Sequence, residues 1–222
     1  AQASTERFVS NQPLGLFDGV PVAVKDEIDQ CGYPTTVGTA FLGQHPAQED
    51  ATVVARFRNA GALLIGKANM HEIGIGVTGM NPHHGHARNP YNTDYITGGS
   101  SSGSAASVAA GLCPVAIGAD GGGSIRIPAG LCGVVGLKAT FGRVSEHGAY
   151  PLCWSVAHIG PIASTIQDTA LAYAVIAGED SNDPQSQNQP PVNLNGIEKL
   201  DLKGIKVGVF KAWFEHSQPP IV

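Results

Sequence analysis

The spacing of apolar residues changes along the chain, and each change marks an element. Residues 1–18 are polar and irregular. "VPVAV" at 20–24 is then a short unbroken apolar run ending on Lys25 and Asp26, which predicts a strand. After Asp50, placed to cap a helix, apolar residues recur at Val53, Val54, Phe57 and Ala60, with Gly61 just past the end. "ALLIG" at 62–66 predicts a buried strand, and 79–94 is a loop of Gly, Pro, Asn and His. Small residues from Ser102 to Ala110 predict a helix with a close-packing face, stopped at Gly111. "PVAIG" at 114–118 predicts the next strand, and Pro128 is placed to open a helix as its first residue. Ser164 and Gln167 form a capping box before a helix ended by Gly178. Residues 179–198 read as a surface connection, and "GIKVGVF" at 204–210 as a last strand. The alternation of strands and helices implies an α/β fold on a parallel or mixed sheet.

Composition narrows the class. Of 222 residues, 42% are hydrophobic and 14% charged, enough for a sizeable core. The net charge is −5 without a Lys/Arg cluster, which argues against a nucleic-acid partner. The four cysteines, at 31, 113, 132 and 153, form no CxxC pair, so reduced thiols in the cytoplasm are the default expectation. Residues 95–119 carry no charge, but their glycines, serines and Pro114 make them too polar and too broken for a membrane span. No signal peptide is visible at the start of the sequence.

The glycines raise a chemical question. Of 29, 13 fall within residues 98–148, and three precede Ser124 in "DGGGSIRIP" at 120–128. Consecutive N–H groups turned inward form an anion nest, and a nest beside a serine suits an oxyanion hole beside a nucleophile. Gly121, Gly122, Gly123 and the Ser124 amide are the candidate donors; a tight turn before a helix is the plainer alternative. Ser124 then needs a base, and lysine serves where burial disfavours its charge. Lys25, ending its apolar strand, is the candidate; the alternative is a surface lysine paired with Asp26 or Glu27. "GGSSSGSAA" at 98–106 supplies either capping hydroxyls or a hydroxyl relay. The same segment fits G-x-S-x-G with Ser101 as nucleophile, after only a weak strand. "GALLIGKA" at 61–68 has Ala68 where a phosphate loop needs Ser or Thr. "HEIG" at 71–74 lacks a second histidine, and "HHGH" at 83–86 has no Cys or carboxylate at a metal-site spacing, so no metal is expected.

Three separated blocks, "DGVPVAVKDEID" at 18–29, "GALLIGKANMHEIGIGVTGMNPHHGHARNP" at 61–90 and "GGSSSGSAASVAAGLCPVAIGADGGGSIRIPAGLCGVVGLKATFGR" at 98–143, resemble the amidase signature family of serine hydrolases in the family's order. The resemblance covers about residues 15–178. "NMHEIGIGVTG" and "CGVVGLKATFGR" are most similar to plant-type and microbial fatty acid amide hydrolases. It implies a mixed, mostly parallel sheet covered by helices. Family members are considerably longer, so it also implies that residues 1–222 are one N-terminal portion of the family domain, truncated at the C-terminus.

By motif, the resemblance assigns a Ser–Ser–Lys triad: Lys25 as base, Ser100 as bridging serine and Ser124 as nucleophile, with the amides of 121–124 as oxyanion hole. Asp120 and Arg126 are expected to support the loop, through a mutual ion pair. The implied reaction is hydrolysis of a small-molecule amide, with N-acyl amides such as fatty acid amides as the leading class, and no cofactor. Indoleacetamide-type and amidotransferase A-type amidases are the alternatives within the family, and a non-catalytic docking module is the alternative outside enzymes. Ile73, Ile75, Val77 and Met80 are candidates for an apolar acyl channel or for core packing. A lipid-like substrate is compatible with a membrane surface, but no segment demands one, and the sequence is silent on oligomeric state.

Overall fold

The computed structural model describes residues 1–199 and 201–212. Its elements are α1 (Gln2–Val9), β1 (Pro21–Lys25), α2 (Thr52–Asn59), β2 (Leu63–Ala68), α3 (Ser102–Ala109), β3 (Val115–Asp120), α4 (Arg126–Leu131), β4 (Val135–Gly136), β5 (His158–Ala163) and α5 (Ile166–Ile176). The strands form one mixed sheet in the order β2-β1-β3-β5-β4. β1 runs parallel to both β2 and β3, while β5 is antiparallel to β3 and β4.

Strand alternation sorts the core into two layers. Val22, Val24, Val115, Ile117 and Ile159 turn to one face, where α2 brings Val53, Val54 and Phe57 and α5 brings Ala172 and Ile176. Ala23, Ala116 and Ile162 turn to the other, against Ala105 and Val108 of α3 and Ile125 and Cys132 beside α4. The second layer is built from small residues, as the Ser/Ala/Gly pattern of α3 predicts. Burial there pushes the Cys132 thiol up to about 11.

Several elements differ from the sequence pattern. Residues 2–9 are helical although their pattern shows no apolar stripe; Arg7 Nε and Nη2 each lie 2.7 Å from the buried Asp18 carboxylate and dock the helix. α2 is capped at Ala51; Asp50 instead accepts from Cys31 N–H at 2.8 Å and Arg58 Nε at 2.6 Å. α4 begins at Arg126, so Pro128 is its third residue rather than its first. The α5 cap is Thr165, whose Oγ1 accepts from Asp168 N–H at 3.0 Å, one residue beyond the expected box.

β5 is absent from the sequence reading because Gly160 and Pro161 interrupt it. Leu137 N–H donates to the Pro161 carbonyl, so that carbonyl faces the β4 side. A strand residue's N–H and C=O point the same way. The missing proline donor therefore faces the side where only the two-residue β4 is paired, and the β3 ladder is spared. Gly160 is required by close approach: a Cβ there would lie 2.2 Å from the Leu137 carbonyl oxygen.

Residues 205–210 are exposed and form no strand, because no strand edge of the described residues takes them up. The 179–198 connection is mostly exposed, but Asp183 within it is buried. Among the described residues no helix is long and apolar enough to cross a membrane.

Candidate active site

β1 has β2 on one side and β3 on the other, so the parallel strands end together at a point where connections diverge, the usual place for a site in an open α/β sheet. Lys25 is the last residue of β1 and Asp120 the last of β3. The Lys25 side chain is 1% exposed; its Nζ donates to Ser100 Oγ at 2.8 Å and to the Ala119 carbonyl at 3.2 Å, and lies 3.0 Å from Glu27 Oε1. The lysine is therefore buried, and its acidic partner is Glu27. Asp26 pairs instead with Lys67, at 3.3 Å.

Ser100 follows a cis Gly99–Ser100 peptide, and its carbonyl accepts from His71 N–H at 3.0 Å. Ser101 is fully buried, and its Oγ lies 3.3 Å from both the N–H and the carbonyl of Ala119. It faces β3 and stays out of the cavity, which removes it as a nucleophile. Its own N–H donates to the Ser124 carbonyl at 3.2 Å and ties the two serine segments together.

The glycine loop is organised around the fully buried Asp120. Its Oδ1 accepts from Gly123 N–H at 2.7 Å and Arg126 Nη2 at 2.9 Å. Its Oδ2 accepts from Ile125 N–H at 3.1 Å, Arg126 N–H at 3.3 Å and Arg126 Nε at 2.9 Å. Burial pushes this carboxyl up, but the donors from Arg126, Ile125 and Gly123 outweigh it, and the net shift is below the ordinary 3.8. Gly123 has φ +133°, a conformation open to glycine, and turns its N–H toward Asp120. That amide is thus withdrawn from the expected oxyanion set. The Gly122 and Ser124 N–H groups have no acceptor among the described residues.

These segments open on a cavity of about 610 Å³. Lys25, Ser100, Gly121, Gly122 and Ser124 lie on its wall, Ser124 being 8% exposed. The Ser100 and Ser124 hydroxyls share the cavity without a direct hydrogen bond. Ile75, Val77, Leu152 and Trp154 form apolar walls; Ile73 and Met80, the other channel candidates, do not reach it. Glu27, Glu146 and Asp183 also line it. The sequence names Glu27 only as a surface partner and gives no signal for Glu146 or Asp183, because each reaches the cavity through distant pairing: Glu146 Oε1 accepts from Ile159 N–H at 2.7 Å, and Asp183 Oδ2 from Glu146 N–H at 2.8 Å.

The other motifs are spent locally. Lys67, in the strand β2, donates to Thr35 Oγ1 at 2.9 Å. His83 meets Glu72 at 2.8 Å, His84 Nε2 meets the Thr39 carbonyl at 2.8 Å, and His86 Nδ1 accepts from Asn81 N–H at 2.9 Å.

A buried lysine on a serine hydroxyl and a second serine behind a glycine loop, above a mixed sheet, define an α/β protein with a serine–lysine cavity at one end of its strands. The sequence profile of the Amidase family matches residues 1–221, and the chain belongs to that family. It is 46% identical over 219 residues to a fatty acid amide hydrolase of Oryza sativa, covering 96% of this chain and 36% of the relative. It is 43% identical over 226 residues to a 1-carboxybiuret hydrolase subunit of a Pseudomonas species, covering 99% of this chain and 48% of the relative. Among solved structures, the native peptide amidase of Stenotrophomonas maltophilia superposes with a TM-score of 0.81 at 38% identity, over 86% of this chain and 40% of that one. The chain thus spans less than half the length of these relatives.

Proposed function

We propose that the cavity hydrolyses amide bonds by acyl transfer through Lys25, Ser100 and Ser124. The observation that carries this reading is the buried Lys25 Nζ, 2.8 Å from Ser100 Oγ, on the wall of the cavity that holds Ser124. Nζ in its free-base form takes the Ser100 proton as Ser100 takes that of Ser124, and Ser124 Oγ attacks the amide carbonyl. The gap between the two hydroxyls is the kind that closes when a substrate enters. The Gly122 and Ser124 N–H groups, with Gly121 beside them, are the donors for the oxyanion; losing one such donor costs about 10²–10³ in rate. The proton returns through Ser100 to the departing amine, and water cleaves the Ser124 ester by the same relay.

The apolar walls suit an acyl chain, with the polar groups gathered at the reacting end. We assign N-acyl amides, fatty acid amides among them, as the substrate class, in keeping with the identity to the plant relative.

The test is intact mass after treatment with a fluorophosphonate. One adduct on the wild type that is lost in Ser124→Ala supports the assignment, together with loss of amide turnover in Lys25→Ala. Hydrolysis unchanged in either variant overturns it.

A further inference from the structure

The charges lining the cavity do not balance. Lys25 is its only lysine or arginine among the described residues, and Glu27 already stands against it at 3.0 Å. Asp120 is matched by Arg126. No lysine or arginine meets Glu146 or Asp183, and the other basic side chain on the wall is the exposed His147. Both Asp183 oxygens are occupied, by Glu146 N–H at 2.8 Å and Gln185 N–H at 2.9 Å.

Glu146 differs. Its Oε1 is held by Ile159 N–H at 2.7 Å, but no donor among the described residues reaches Oε2, and the side chain is 29% exposed. The His158 ring beside it supplies no charge: Val144 N–H donates to Nε2 at 3.0 Å, so that nitrogen carries no proton, and Nδ1 lies 3.4 Å from Oε1. The position is fixed by the sheet. Ile159 pairs with Ala119, whose carbonyl receives Lys25 Nζ. Ile159, two residues from Pro161, turns its N–H the same way, away from β3, so Glu146 holds the cavity wall on the β4 side of β5, whereas Lys25 lies on the β1 side of β3.

We propose that Glu146 is a specificity-determining residue: from the cavity wall it turns away amides that carry a carboxylate and favours neutral or ammonium-bearing ones. This rests on the reading of the cavity as an amide site. A second negative charge brought into a partly desolvated cavity meets a repulsion that water and salt screen only in part, and an ammonium meets the converse.

The experiment uses three matched amides: succinamate, butanamide and 3-aminopropanamide. Ligand-observed NMR titration gives their affinities for the wild type and for Glu146→Gln, whose amide oxygen can still accept from Ile159 N–H. The expected order is ammonium, neutral, carboxylate, with the carboxylate at least about tenfold weaker than butanamide. Glu146→Gln should narrow that gap, as should added salt on the wild type. Equal affinities, or a gap that neither substitution nor salt alters, overturn the proposal. If Glu146→Gln does not fold, the wild-type order and its salt dependence decide alone. Ammonia release from butanamide is followed separately. Absent release with the binding order intact counts against the hydrolase reading only, whereas release without that order counts against Glu146 only.

Discussion

Replacing Asp120 by alanine removes the post on which the glycine loop is wound. Two buried backbone donors, Gly123 N–H and Ile125 N–H, lose their acceptor. Each unpaired buried amide costs about 1–3 kcal/mol. The Arg126 side chain is 57% exposed and rehydrates, so the broken ion pair adds little. The sum is about 2–6 kcal/mol, centred near 4. At about 2–4 °C per kcal/mol for a chain of this size, the melting temperature should fall by roughly 8–16 °C. Asp120→Asn keeps one oxygen acceptor and should lose roughly half as much. Thermal and urea unfolding followed by circular dichroism measure this. The carboxyl is held below its ordinary 3.8 in the folded state, so its contribution is full above that value and fades as pH falls through the lower folded value. The wild type should therefore lose stability faster than Asp120→Ala as the medium is acidified below 3.8. An alanine variant that melts within about 2 °C of the wild type, with the same acid limb, would mean that the loop amides find water and that Asp120 organises nothing.

The cap of α5 separates two adjacent hydroxyls: Thr165→Ala should lose about 1 kcal/mol in urea unfolding, and Ser164→Ala less than about 0.5 kcal/mol. Asp180 accepts from Thr52 Oγ1 at 2.5 Å and Ser145 Oγ at 2.6 Å. Burial pushes its carboxyl up, but these hydroxyls, Asn182 N–H and the charge of His147 hold it down at about 2. Its stabilisation is thus present above the ordinary 3.8 and lost as pH falls toward 2, and Asp180→Asn should flatten the urea-midpoint profile across that window.

What the sequence shows and what it hides divide by the range of the interactions. Lys25 is legible because it ends an unbroken apolar run, and the end of a run is a local property. The glycine loop is legible for the same reason, since three glycines before a serine state a backbone requirement within four residues. The direction of the Gly123 amide is not local in that sense. It depends on Asp120 being buried by β3, which turns one donor of the series away from the cavity. Likewise α1 is hidden because its support is Asp18 rather than an apolar stripe of its own.

The missed strand and the missed cavity residue have one cause. Gly160 and Pro161 carry no strand preference, so nothing in "HIGPIA" announces β5, and its place comes from pairing with β3 over the whole run from His158 to Ala163. Once that pairing exists, Ile159 N–H is available to Glu146 Oε1, and a carboxylate 13 residues earlier is drawn to the end of the sheet where Lys25 lies. A local pattern can place Ser124 and its loop, because three glycines before a serine state a backbone requirement. The place of Glu146 is set by the register of a distant strand. For that reason Lys25, Ser124 and the loop are legible in this sequence, whereas the carboxylate on the cavity wall is placed by the fold.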